Sequence, residues 1–178
     1  MMEMQERVIL VQDDDTESGS IEKLEAHRRG VLHRAFSIFI MNPAGELLLQ
    51  RRAAGKYHSA GLWSNSCCGH PRPGEGTHEA ANRRLQEEFG FSCDLTHLFS
   101  FAYSAVLGEG LTEHEIDHVF VGWTSGEPAP DPQEIGEWRW LGIEQVRVWL
   151  EEEPEAFTAW FPDALGRLLD PPGGAGGE

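Results

Sequence analysis

The stretch that most limits what this chain can become is Gly69 to Phe91, GHPRPGEGTHEAANRRLQEEFGF. Ala81, Leu85 and Phe89 recur every four residues and stop against Gly90, so the spacing predicts a helix over 77–89 with glycine as its C-terminal cap. On that helix Arg84 and Glu88 share one face, and Arg83 and Glu87 share the neighbouring stripe. Taken alone, the pattern also suits a solvated helix laced with surface ion pairs. Glycines at both ends of the segment strengthen a functional reading.

Around this segment the hydrophobic pattern predicts strands at 6–12, at 33–41 and, after the turn Asn42-Pro43-Ala44-Gly45, in ELLLQRR. Apolar residues at 35–41 fall on both faces, as they do in a strand covered on each side. Two more strands are expected at 97–106 and 115–124, a sixth in EWRWL, and helices at 143–152 and 155–169. Strands and helices mixed in this order predict an α+β domain, a sheet with helices on its faces. At 178 residues the chain suits one domain over 1–168, with the Pro/Gly-rich end, 169–178, as a disordered tail.

Fourteen basic against 30 acidic residues give a net charge of −16, which opposes binding to nucleic acid or to anionic membranes. A soluble monomer or weak dimer is expected. No run approaches the roughly 18 apolar residues of a membrane span. Three cysteines without an apolar leader predict a reducing, cytoplasmic setting rather than a disulfide framework. Both lysines, Lys23 and Lys56, lie in the N-terminal third with Arg28, Arg29, Arg34, Arg51 and Arg52, so a local basic pocket is open to an acidic protein. A solvated mixed-charge surface is the plainer alternative.

A second constellation is dispersed. Glu113 and Glu115 alternate onto one face of a strand while His114 points to the other. Two such carboxylates can share a metal with imidazoles from elsewhere, and His27, His33 and His70 are candidates. The N/O set suits Mn²⁺, Mg²⁺ or Zn²⁺. His58, His78 and His97 are assigned to the surface, His118 to strand packing and Cys93 to the core.

The Gly69 to Phe91 segment resembles the Nudix box, which holds a divalent metal against a diphosphate, with one departure: Arg84 stands where that pattern has glutamate. The runs IEKLEAH, LHRAFSIFI, LLLQRRAAGKYHSAGLWSNSCCGHP, RRLQEEFG and EHEIDHVF together resemble type I isopentenyl diphosphate isomerase, a Nudix-superfamily family that also carries this arginine. The resemblance spans about residues 5–165 and implies a Nudix-type α/β/α sandwich with a mixed central sheet. It departs in two predicted loops: the His27 to His33 spacing is one residue short, and the stretch from Glu88 to Tyr103 is slightly short.

The resemblance implies a reversible shift of a double bond between isopentenyl and dimethylallyl diphosphate. An unactivated alkene is a very weak base, so one group must deliver a proton while another removes a different one. By resemblance these groups are Cys68 and Glu115, with Tyr103 as the hydroxyl partner of the glutamate and Trp160 as the aromatic face over the substrate. Cys67 is then expected to turn away. Lys23, Arg52, Lys56 and Arg84 match the family's diphosphate contacts, and Glu88 its ligand for a substrate-associated Mg²⁺. The rivals are a Nudix diphosphate hydrolase and a non-catalytic Nudix-type binding module.

Overall fold

A computed structural model describes residues 5–171. In chain order its elements are β1 (Arg7–Val11), β2 (Glu17–Glu22), α1 (Lys23–Arg29), β3 (His33–Met41), β4 (Glu46–Arg52), β5 (Trp63–Ser64) and β6 (Cys67–Gly69). The chain continues through α2 (Thr77–Phe89), β7 (Leu95–Gly108), β8 (Leu111–Trp123), β9 (Ile135–Gly142), α3 (Ile143–Glu152), a 3₁₀ turn at Pro154–Ala156 and α4 (Phe161–Leu169).

The strands form one mixed sheet centred on β3, which pairs antiparallel with β1, β4 and β6 and parallel with β8. Alternation along β3 builds a core on each face. Phe36, Ile38 and Ile40 pack with Ala81, Leu85 and Phe89 of α2, while Phe39 packs on the other side with Val146 of α3 and Phe161 and Leu165 of α4. The result is the expected α/β/α sandwich.

β3 and β4 pair only at Met41 and Leu47 and then diverge. The gap is filled by the segment holding β5 and β6, with Ser64 opposite Gln50 on one side and Cys68 opposite Ser37 on the other. Diverging strands orphan backbone groups that must find partners once buried. Buried side chains supply them: Ser66 Oγ accepts from Ile40 N at 2.8 Å and donates to Leu48 O at 2.7 Å, and Gln50 Nε2 donates to Ser66 O at 2.7 Å. This side-chain stitching holds the twin-cysteine segment in place.

α2 has the bounds its four-residue period predicts, and Gly90 caps it at φ 73°. β2 and α1 carry no comparable signal, because ESGSIE lacks alternation and KLEAHRR is two turns long. The helix expected over 155–169 is interrupted: Phe157 bridges in parallel to Trp63, Thr158 N donates to Trp63 O at 2.9 Å, and α4 starts only at Phe161. Pro162 explains where the helix restarts, since a proline is tolerated in a first turn but not in a helix interior. α4 extends through Leu169, one residue into the expected tail; residues 172–178 of that tail lie outside the described residues.

Candidate active site and metal centre

The face of β3 that carries Phe39 into the core carries Ala35 and Ser37 into a cavity of about 130 Å³. Cys68, opposite Ser37, points into the same cavity, and Cys67, opposite Ile38, is buried on the α2 side. That Cys67 turns away from the cavity, as expected, follows from strand alternation. Ten of the residues singled out in the sequence line this one cavity: Lys23, Arg52, Lys56, Cys68, His70, Arg84, Glu88, Glu113, Glu115 and Trp160.

His27 and His33 are buried beside it. His33 comes from the start of β3 and is paired with Glu115 of β8, while His27 comes from α1. The short loop between the two histidines does not separate them, because Gly30, at φ 63°, ends α1 and their ring centroids lie 5.1 Å apart. Nδ1 of His27 faces Lys23 O at 2.7 Å, and Nδ1 of His33 faces Val31 O at 2.9 Å. A carbonyl can only accept, so each Nδ1 carries the proton and each Nε2 presents a lone pair. Among the described residues those two buried Nε2 atoms have no hydrogen-bond partner.

Ligand atoms of His27, His33, His70 and Glu115 all lie within 4.8 Å of one another. Glu113 sits at the edge of this group, 3.9 Å from His27 Nε2 and 3.6 Å from His58 Nε2. Orphaned imidazole lone pairs, tautomers fixed by backbone carbonyls and a shared carboxylate fit a divalent metal.

The charges are individually arranged. Burial works against ionisation of Glu115, but the His33 and His70 imidazoles beside its carboxylate, at 3.3 and 3.1 Å, outweigh it and hold that carboxyl below the usual range, whereas burial and the Glu115 charge push Glu113 up. Burial, opposed by Glu115, lowers His70 to about 4. Burial and then the Asp117 carboxylate push the Cys68 thiol up to about 12. Arg84 bonds Glu88 at 2.8 Å and Glu87 at 2.6 Å, and Glu88 also receives Gln50 Nε2 at 3.1 Å. Glu75, in the loop before α2, takes a two-pronged grip from Arg83 at 2.7 and 3.0 Å.

Residues 31–161 match the NUDIX domain family. Isopentenyl-diphosphate Delta-isomerase 1 of Aromatoleum aromaticum is 51% identical over 166 residues, covering 93% of this chain and 94% of that protein. The chain belongs to the isopentenyl-diphosphate Delta-isomerase family. The isopentenyl-diphosphate Delta-isomerase of Serratia proteamaculans is 54% identical over 158 residues, 89% of this chain and 88% of its own length. In fold, DR0079 of Deinococcus radiodurans superposes with a TM-score of 0.77 over 91% of this chain and 98% of its own, at 23% identity.

Within this isomerase-family framework two histidine assignments need correction. His58 is not a surface residue: the loop after β4 folds over the cavity, burying its side chain to 8% exposure beside Glu113, and burial followed by the Arg52 charge lowers it to about 3. His118, read as plain strand packing, also hydrogen-bonds the Asp15 carboxylate at 2.8 Å. Tyr103 is the register partner of Glu115, with a buried hydroxyl that has no hydrogen-bond partner among the described residues. Trp160 precedes α4 rather than riding on it, and the broken helix lets its indole reach the cavity.

Asp117 was missed. It extends the Glu113, Glu115 alternation by one more step, lines the cavity and accepts from Ser37 Oγ at 2.7 Å. Period two along HEIDH was the available signal. Glu6 and Glu134 also line the cavity, bonded to Lys23 at 3.0 Å and to Lys56 at 2.5 Å, and carried no sequence signal.

Proposed function

We infer that the protein interconverts isopentenyl diphosphate and dimethylallyl diphosphate by adding a proton at one carbon of the alkene and removing another proton elsewhere. One observation carries the reading: the Cys68 thiol and the Glu115 carboxylate, from β6 and β8, two of the strands paired to β3, line a single cavity together with the Trp160 ring. At rest the thiol holds its proton and the carboxylate is ionised. A donor and an acceptor are therefore available at once, and their roles exchange in the reverse direction. Tyr103, whose hydroxyl burial keeps protonated, is a further proton carrier next to Glu115.

Protonation leaves positive charge on a tertiary carbon, which any nearby water would capture. The 5% exposure of Trp160 supports a dry pocket, and an indole face stabilises a desolvated cation by about 2 kcal/mol without acting as a nucleophile. Lys23, Arg52, Lys56 and Arg84 share the cavity as partners for the diphosphate oxygens. The buried Nε of Arg52 has no partner among the described residues and is available as a donor for such an oxygen.

His27, His33, His70, Glu113 and Glu115 would hold Mn²⁺, Mg²⁺ or Zn²⁺, and Glu88 a Mg²⁺ that arrives with the substrate. When bound, these ions supply positive charge that offsets the diphosphate and fixes the carboxylates. Free, adjacent Cys67 and Cys68 suit a reducing cytoplasm.

Reaction of isopentenyl diphosphate in D₂O with added Mg²⁺, followed by proton and phosphorus NMR, tests the reading. Deuterium should enter the new methyl group of dimethylallyl diphosphate without release of inorganic phosphate. Isomerisation without deuterium uptake contradicts protonation by exchangeable side chains, and phosphate release without isomerisation makes the protein a hydrolase.

A further inference from the structure

Between the thiol and the indole lies a group without an assigned role. Asn65 is fully buried in the link between β5 and β6. Its Nδ2 donates to Ile38 O at 3.1 Å and to Cys67 O at 2.9 Å, so both amide hydrogens are committed to carbonyls. Rotating the amide by half a turn would set its oxygen against those two carbonyl oxygens, so the orientation is chemically fixed. Oδ1 accordingly faces the opposite way, where it receives the Trp160 indole N–H at 3.2 Å, the Cys68 thiol at 3.2 Å and the Ser64 hydroxyl at 2.8 Å.

We propose that Asn65 is a positioning residue for the proton-transfer centre, its single carboxamide oxygen fixing the Cys68 thiol and the Trp160 ring relative to each other. The inference rests on the isomerase reading above. Its physical content is that the proton donor and the face that meets the resulting cation must keep one geometry, since charge develops at one carbon as the proton reaches its neighbour. Separate anchors would let the two drift independently. A shared acceptor, itself pinned to the backbone of β3 and β6, makes them one rigid unit. The diphosphate end is held by other residues, none of which bonds Asn65. Ser64 extends the unit, because its hydroxyl also accepts from Thr158 Oγ1 at 3.1 Å, two residues before Trp160.

The test pairs kinetics with NMR on the metal-loaded enzyme. Asn65→Ala should lower kcat by about 10²-fold, the scale of a misplaced reacting group, and leave KM for isopentenyl diphosphate within about threefold. In the wild type, one of the six tryptophan indole N–H signals, assigned by its absence in Trp160→Phe, should exchange slowly with solvent. In Asn65→Ala that signal should shift and exchange faster while the others stay. If Asn65→Ala does not fold, the isosteric Asn65→Asp, which loses both Nδ2 anchors, is read by the same two criteria. An unchanged kcat, a parallel loss in kcat and KM, or fast exchange of the Trp160 indole in the wild type overturns the proposal. A wild type that does not isomerise removes the functional reading and this proposal together, whereas a turning-over wild type with an indifferent Asn65 removes only the proposal.

Discussion

His33 Nε2 stands 3.3 Å from Glu115 Oε1 because the two residues are paired in the parallel β3–β8 ladder. That register, with His27 brought by α1 and His70 by the loop after β6, gathers metal donors from four segments. Protein dialysed against a weak chelator should retain about one divalent ion per chain. Stripping it should lower Tm by about 5–10 °C, the scale of losing a ligand held at ~100 times its Kd from a domain of this size. An undiminished metal content in a His27→Ala/His70→Ala double variant would defeat the assignment.

The twin cysteines separate by face. Cys68→Ala should lower kcat by at least ~10²–10⁴-fold, the usual contribution of an acid–base residue, without unfolding the protein. Cys67 is packed in the core beneath α2, so Cys67→Ala should lose about 1 kcal/mol of stability and keep turnover within tenfold. The reverse pattern, read by kinetics beside thermal unfolding, would place the reactive thiol one residue earlier.

How much of this was legible in the sequence depended on whether the signal was local. α2 declares itself through Ala81, Leu85 and Phe89, and β3 through its unbroken apolar run, because burial repeats at the period of the element. The candidate diphosphate cations were legible only through resemblance; of the candidate metal ligands Glu113 and Glu115 showed an alternation of their own, while the spacing of His27, His33 and His70 says nothing of the cavity where they meet. Asp117 could have been read by carrying the Glu113, Glu115 alternation forward. His58 and Asn65 could not: one is buried by how a loop folds over, the other matters through an acceptor 27 positions away and a donor 95 positions away, as well as through its own near neighbours. Trp160 was found but put on a helix, because Pro162 sits too late in EAFTAWFPD to announce a break before it.

Gly69 follows the thiol where no side chain fits. A Cβ there would meet Phe36 Cζ at 2.7 Å and Arg84 Cγ at 3.2 Å. Gly69→Ala should therefore cost about 1–3 kcal/mol of stability by overpacking and raise KM by displacing Arg84. A variant with wild-type Tm and KM would show that the α2–β6 contact is looser than these distances imply.

Asp117 gives a pH dependence with a definite sign. Burial first, and then the Glu115 charge, raise its carboxyl well above the ordinary value of 3.8. A folded-state pKa above the unfolded one means that the folded protein holds the extra proton, so this stability is present at low pH and lost as pH rises through the folded value. Asp117→Asn keeps an oxygen for the Ser37 hydroxyl but has nothing to ionise. The Tm of metal-free Asp117→Asn minus that of metal-free wild type should grow as pH is raised from 4 to 8. A difference that is flat or shrinks would show that Asp117 is not held neutral by its surroundings.

Arg84 occupies the position where the Nudix pattern has glutamate, and its guanidinium bridges Glu87, Glu88 and, at 3.4 Å, Glu134. Restoring the acid does not restore a hydrolase on this reading. Arg84→Glu would set a fourth carboxylate among those three and remove one of the four cations in a cavity that must hold a polyanion. Loss of a charge-assisted bond of about 1.5–3 kcal/mol corresponds to roughly 10–10²-fold in kcat/KM, with like-charge repulsion adding to it. The loss should fall mainly on KM, because the thiol, Glu115 and Trp160 are untouched, and no inorganic phosphate should accumulate. Steady-state kinetics with a phosphate assay decide the matter: hydrolysis by Arg84→Glu would mean that a single residue separates the two chemistries on this scaffold, while a pure kcat effect would mean that Arg84 acts on the alkene end and not on the diphosphate.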